Sequence, residues 1–113
     1  GAVTIQANQP WTSTGVTVRK GQTINLTTSG QVQLSDDVND IADANGAKSG
    51  RMATGGTLRV PAGALIGRIG PNGTPFGVGA QTSIVAPAAG VLFLGVNDDG
   101  FADNKGNYQV VIR

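Results

Sequence analysis

The chain has 113 residues, enough for one domain around one packed core. Eight lysines and arginines against seven acids leave a net charge of +1, and the scattered cations offer nucleic acid no basic track. Cysteine and histidine are both absent, which excludes disulfides, thiolate or imidazole metal ligands, cysteine nucleophiles and histidine-dependent triads.

Taken in order, Val3-Thr4-Ile5-Gln6-Ala7 alternates apolar and polar residues, the period of a half-buried strand. Asn8 to Gly15 holds a proline, a tryptophan and several hydroxyl or amide side chains and reads as a loop. Within it Trp11 is either a sugar-stacking platform or, as a lone tryptophan more commonly is, a core or lid residue. Alternation resumes over Val16-Thr17-Val18, turns at Lys20-Gly21-Gln22, and resumes over Thr23 to Thr27. A further turn at Ser29-Gly30 precedes Gln31 to Leu34. Frequent turns between short alternating runs, with no apolar set at helical spacing, predict an all-β antiparallel sandwich or barrel.

From Ser35 to Gly56 the pattern fails. The acids here superficially match an EF-hand loop, but starting from Asp37 the third position is Asn39 and the fifth is Ile41, which breaks the motif. A long loop in a small domain is usually functional or mobile. This one is expected to rim a site, with a short helix over Val38–Ala44 as the alternative. Gly56 to Pro61 then leads into a buried strand over Gly63–Gly70, a turn at Pro71–Pro75, and short strands at Phe76–Val78 and Ser83–Val85. The chain is expected to form a single domain over residues 1–113, without linker, repeat or low-complexity segment.

The most informative stretch runs from Asn97 to Asn107, between the apolar runs Val91–Val96 and Tyr108–Ile112. All seven acids of the chain are aspartates, and they fall only within 36–43 and 98–103. In the second window Asp98, Asp99, Asp103 and Asn104 place short oxygen donors on a loop held by two strands, the chemistry that a hard cation such as calcium needs. The first window reads better as turn chemistry. Two carboxylates also suggest a glycosidase pair, Asp98 and Asp103. That mechanism needs one acid beside an apolar wall, and a cation shared on one polar loop would instead depress both. No enzyme is expected.

Several of these runs resemble the PA-IL-like bacterial lectins: Gly63-Ala-Leu-Ile-Gly-Arg-Ile-Gly70, Phe76-Gly-Val-Gly79, Gly90-Val-Leu-Phe-Leu-Gly-Val-Asn-Asp98 and Asp103-Asn-Lys-Gly-Asn-Tyr108. The resemblance covers about the last fifty residues, extends to Val16–Leu34, and is absent across Asp36–Thr57. It implies a small jelly-roll-like β-sandwich that binds galactose or a similar sugar through calcium, related domains being appended to secreted bacterial enzymes. It further implies Asp98, Asp103 and Asn104 as side-chain calcium ligands. Backbone carbonyls would come from Leu34 and from Ala102 or Phe101. With calcium held there, the nearby Asp99 and Asn107 are expected to hydrogen-bond the same sugar. Five monodentate protein ligands would leave positions open on an ion that takes 6–8.

Two features depart from the family pattern: a shorter loop with an aspartate at 103, and no counterpart of the histidine-containing loop that grips the sugar's hydroxymethyl group. Calcium binding therefore carries over better than galactose preference. The rival reading is a non-catalytic structural or interaction module whose loop calcium merely staples. No apolar run approaches the roughly 20 residues of a membrane span. The initial glycine suggests a domain excised from a longer chain, which leaves a secreted or periplasmic location as an expectation from the resemblance. A homo-oligomer or a parent multidomain enzyme is the assembly expected.

Overall fold

The computed structural model describes residues 1–53 and 58–113. Thr54 to Thr57, the end of the long loop and the start of the lead-in expected at Gly56, lie outside the described residues. Ten strands are present among the described residues: β1 Ala2–Gln6, β2 Thr12–Val18, β3 Thr23–Gln33, β4 Ile41–Asp43, β5 Gly46–Ala47, β6 Leu65–Ile69, β7 Phe76–Gly77, β8 Ser83–Val85, β9 Gly90–Val96 and β10 Lys105–Ile112. One sheet runs β1-β10-β3-β4-β5, with β8 also pairing β3, and the other runs β2-β9-β6-β7. All of these pairings are antiparallel. The molecule is an all-β sandwich, as the turn-rich alternation predicts.

Alternation along the strands builds the core. Ile5 of β1, Ile24, Leu26 and Val32 of β3, and Tyr108, Val110 and Ile112 of β10 face inward from the first sheet. Leu65 and Ile69 of β6 and Leu92, Leu94 and Val96 of β9 answer them from the second. Removing such side chains from water is what stabilises two sheets face to face, at roughly 1.5–3 kcal/mol for each large aliphatic side chain.

Four local expectations change. The loop expected over Asn8–Gly15 gives way at Thr12 to β2, whose register against β9 shifts between Ser13 and Thr17. Thr14 bridges that bulge, donating from Oγ1 to the Leu92 carbonyl at 2.7 Å and accepting from the Val16 amide at 3.1 Å. Ser29-Gly30 does not turn the chain: β3 is continuous for 11 residues and pairs with β10 from Leu26 to Gln33. Gly30 takes a positive φ (+106°) within the strand, and a Cβ would collide with the Asn107 carbonyl of β10.

The helix considered over Val38–Ala44 is absent, and the same residues turn into β4. Asp37 accepts the Asn39 amide and Asp43 accepts the Asn45 amide, both at 2.9 Å. Side chains that capture amides two residues on compete with helical bonding, and Ile41–Asp43 gains ladder bonds to β3 instead. Lastly, β9 and β10 flank the aspartate loop without pairing with each other. They belong to opposite sheets, so the loop held by two strands is, over residues 97–104, a crossover at one end of the sandwich.

Candidate functional site

Three polar residues are buried in the described structure, Asn97, Asp98 and Asn104, and all three lie on this crossover. Burying polar side chains costs free energy unless each finds partners, so their bonding is the key to the loop.

Asn97 is satisfied completely. Its Oδ1 accepts the Leu58 amide at 3.1 Å, and its Nδ2 donates to the carbonyls of Leu58 and Val60, each at 3.0 Å. Its backbone accepts from Gly63 N at 2.7 Å and donates to the Ala64 carbonyl at 2.9 Å. Asn97 therefore pins the segment before β6 against the end of β9. The pattern Val-Asn-Asp marked it only as the residue before a ligand, because its partners are backbone groups almost forty positions away.

Asp98 is 5% exposed. Its Oδ1 accepts the Asp99 amide and its Oδ2 accepts from Asn104 Nδ2, each at 2.8 Å. Burial raises its pKa above the ordinary carboxylate value, and the hydrogen bonds from Asn104 and the backbone of Asp99 and Gly100 only partly offset that rise. Asn104, also 5% exposed, gives its Nδ2 to the Ala7 carbonyl at 2.9 Å as well as to Asp98. Its Oδ1 is buried with no hydrogen-bond partner. A carboxylate and an orphaned amide oxygen thus stand side by side at the end of the sandwich.

The other expected ligands surround this pair to different degrees. Leu34 follows Gln33, which pairs with Lys105, so continuing the register sets Leu34 beside Asn104. The Phe101 carbonyl accepts the Asn104 amide at 3.0 Å and closes the turn. Asp103 and Asp99 are exposed at the rim. Asn107 is not gathered in: it lies within β10, paired with Gln31 and Gln6, and its Oδ1 accepts from Gln109 Nε2 on the outer face. Among the described residues no three acidic, cysteine or histidine side chains converge on one point. The donors are one buried carboxylate, one amide oxygen, carbonyls and a neighbouring exposed carboxylate, an all-oxygen set that suits calcium and not a thiolate- or imidazole-seeking metal.

The long loop does rim this end. Leu34 N donates to the Asp40 carbonyl at 2.8 Å, and Ala62 N donates to the Arg51 carbonyl at 2.9 Å, one residue before Gly63 bonds Asn97. Asp40 and Arg51 form an ion pair there. Asp40 belongs to the aspartate window read as turn chemistry, and its pairing with Arg51 was not legible, since a pair 11 positions apart in an irregular loop follows no period. Three surface clefts of about 250, 300 and 310 Å³ open elsewhere, and neither Asp98 nor Asn104 lines them. Trp11 presents no bare platform: the Arg68 guanidinium lies 4.4 Å from its ring centroid and 5.6 Å from that of Phe93.

No family model matches the sequence, and no curated protein matches it. Among solved structures, the N-terminal domain of EclA, described as a PllA-like lectin, is similar to it with a TM-score of 0.77 and 26% identity. The match covers 98% of this chain and 92% of that one. The resemblance to PA-IL-like lectins therefore extends over nearly the whole sandwich. A lectin neighbour is a non-enzymatic sugar-binding domain, in keeping with a non-catalytic reading of the crossover.

Proposed function

We propose that this domain is a calcium-dependent carbohydrate-binding module whose site is the crossover at residues 97–104. Carbohydrate binding in general is supported by the lectin neighbour. The calcium reading rests on one observation: the Asn104 Oδ1 is buried without a partner beside the Asp98 carboxylate. A buried acceptor left unpaired costs roughly 1–3 kcal/mol, a cost that a cation at that point removes.

In this reading Asp98 and Asn104 supply the inner side-chain oxygens, already oriented by Asp99 N and the Ala7 carbonyl. Asp103 turns its exposed carboxylate onto the same point, and the carbonyls of Leu34 and Ala102 complete the protein's share. Calcium held there would supply open coordination positions that a vicinal pair of hydroxyls, on galactose or a similar sugar, can fill. Asp99 at the rim is placed to accept a hydrogen bond from that sugar. Asn107, turned to the outer face, has no part in it.

The crossover joins the two sheets, and that connection favours a second reading, in which calcium staples the sandwich and binds no sugar. Calorimetry separates the two. The first reading expects one calcium site in chelator-treated protein and calcium-dependent binding of a galactoside. A staple gives the first heat and not the second. Asp98→Ala or Asp103→Ala is expected to abolish calcium-dependent stabilisation, about 2.7 kcal/mol at calcium 100 times Kd in the unaltered chain. Equal melting shifts in variant and parent would overturn the site.

A further inference from the structure

Arg51 grips Asp40 with two parallel bonds, Nε to Oδ1 at 3.1 Å and Nη2 to Oδ2 at 3.0 Å. A fork of this kind fixes a guanidinium in space, where a lysine would leave a mobile point charge. Both partners are anchored to the flanks of the calcium site proposed above. The Asp40 carbonyl accepts from Leu34 N, and the Arg51 carbonyl accepts from Ala62 N beside the Gly63–Asn97 bond. The Arg51 side chain is still 40% exposed and that of Asp40 only 17%. The ion pair therefore turns the carboxylate inward and leaves guanidinium N–H groups toward solvent. The hydrogen bond that Arg51 donates to Asp40 is the main cause that raises the Arg51 pKa, and the charges of Asp98 and Asp99 add to it, so the guanidinium lies within the field of the aspartate loop.

We propose that Arg51, positioned by Asp40, is the specificity residue of this site and selects sugars that carry a carboxylate beside the chelated diol, the hexuronic acids. The inference rests on the calcium-dependent reading. A guanidinium has five N–H donors and no acceptor. Asp40 takes two of them, and the Nη1–Nη2 edge keeps a second pair of parallel donors. That edge matches the two oxygens of a carboxylate and not a single hydroxyl, because a charge-assisted pair is about twice as strong as a neutral bond. Oxidation of a hexose hydroxymethyl to a carboxylate leaves the vicinal ring hydroxyls untouched, so calcium and Arg51 would read separate parts of one residue.

The test is calorimetric, with methyl galactoside and the corresponding galacturonide as probes, in calcium. The expected result is a preference of about fivefold to tenfold for the galacturonide. The preference should collapse toward unity in Arg51→Gln and in Asp40→Asn, with calcium affinity and galactoside affinity held within about twofold. The Arg51 Nε–H resonance gives an independent readout: the galacturonide should shift it in the parent chain, and Asp40→Asn should speed its exchange with water. Equal affinities for the two probes in the parent, or a preference that survives Arg51→Gln, overturns the selectivity while leaving the calcium site standing. Calcium without heat, or calcium binding with neither probe bound, overturns the sugar reading and this inference together.

Discussion

Asn104 donates from Nδ2 to Asp98 Oδ2 at 2.8 Å while its own buried Oδ1 accepts nothing. The donor half of the amide holds the loop together, and the acceptor half is left for something else. Asn104→Ala separates these roles. In chelator it takes the side-chain donor away from Asp98 Oδ2 and from the Ala7 carbonyl, and stability should fall by about 2–3 kcal/mol. In calcium the loss should be larger, because the increment from the ion disappears too. Urea unfolding in both media checks this, and a loss equal in both would show that Oδ1 is not a ligand.

Acid should act on this site in two opposite directions. Burial raises the Asp98 pKa above 3.8 in the calcium-free fold. A folded-state pKa above the unfolded one means that the folded chain holds its proton longer. For this group, then, stability is greatest in acid and is lost as pH rises through the raised value. Calcium needs the ionised carboxylate, so the calcium increment shrinks as pH falls through that same value. The Asp40–Arg51 pair has the opposite sign, its carboxyl being lowered chiefly by the Arg51 hydrogen bond, but it contributes equally with and without calcium. Melting temperatures from about pH 3.5 to 6.5, in calcium minus chelator, remove the share of the Asp40–Arg51 pair and leave that of the calcium ligands, Asp98 with the raised value among them. A difference that stays flat until ordinary carboxylates titrate would place the ion elsewhere.

The sandwich was legible in the sequence because its inner faces follow a period of two that survives without any tertiary knowledge. Val3–Ala7 and Thr23–Thr27 carry it, and each lies in or overlaps an observed strand. Gly30 misled because a glycine with positive φ serves a continuous strand as well as a turn, and only the partner strand decides. The aspartate loop was legible as chemistry, and Asp98 and Asn104 do meet. That it crosses between sheets was not, since apolar flanks look alike whether they pair with each other or with distant strands. Asn107 reads as a sugar contact by its nearness to the loop, yet β10 begins at Lys105 and the pleat carries that side chain to the outer face.

Trp11 should matter to stability and not to sugar. Arg68 covers the ring on the outer face of the second sheet, where it pairs with Phe93 of β9. Trp11→Ala removes a half-buried indole and a cation–π contact, which should cost about 2 kcal/mol. Calcium affinity and galactoside affinity in calcium should stay within about twofold of the parent chain. A tenfold loss of sugar affinity at unchanged calcium affinity would restore the platform reading and place the binding face on the second sheet.

Tyr108 connects the core to the site in a way that can be measured. It is fully buried on β10, and its hydroxyl proton is shared between the carbonyls of Asp43, at 2.6 Å, and Gly63, at 2.8 Å. Burial keeps the phenol protonated far above neutrality, so the group acts as a donor throughout the working range. Gly63 sits at φ +83° with Leu34 and Ala42 packed where a Cβ would go, and its amide holds Asn97. Tyr108→Phe keeps the ring and strands both carbonyls without a donor, at a cost of about 1–3 kcal/mol. The Asn97 side chain still pins Leu58 and Val60 in that variant, so the crossover should keep its shape and calcium affinity should fall by less than about threefold. Unfolding and calcium calorimetry on the one variant decide it. A drop in calcium affinity as large as the drop in stability would mean that the Tyr108–Gly63 bond, and not Asn97, sets the geometry of the loop.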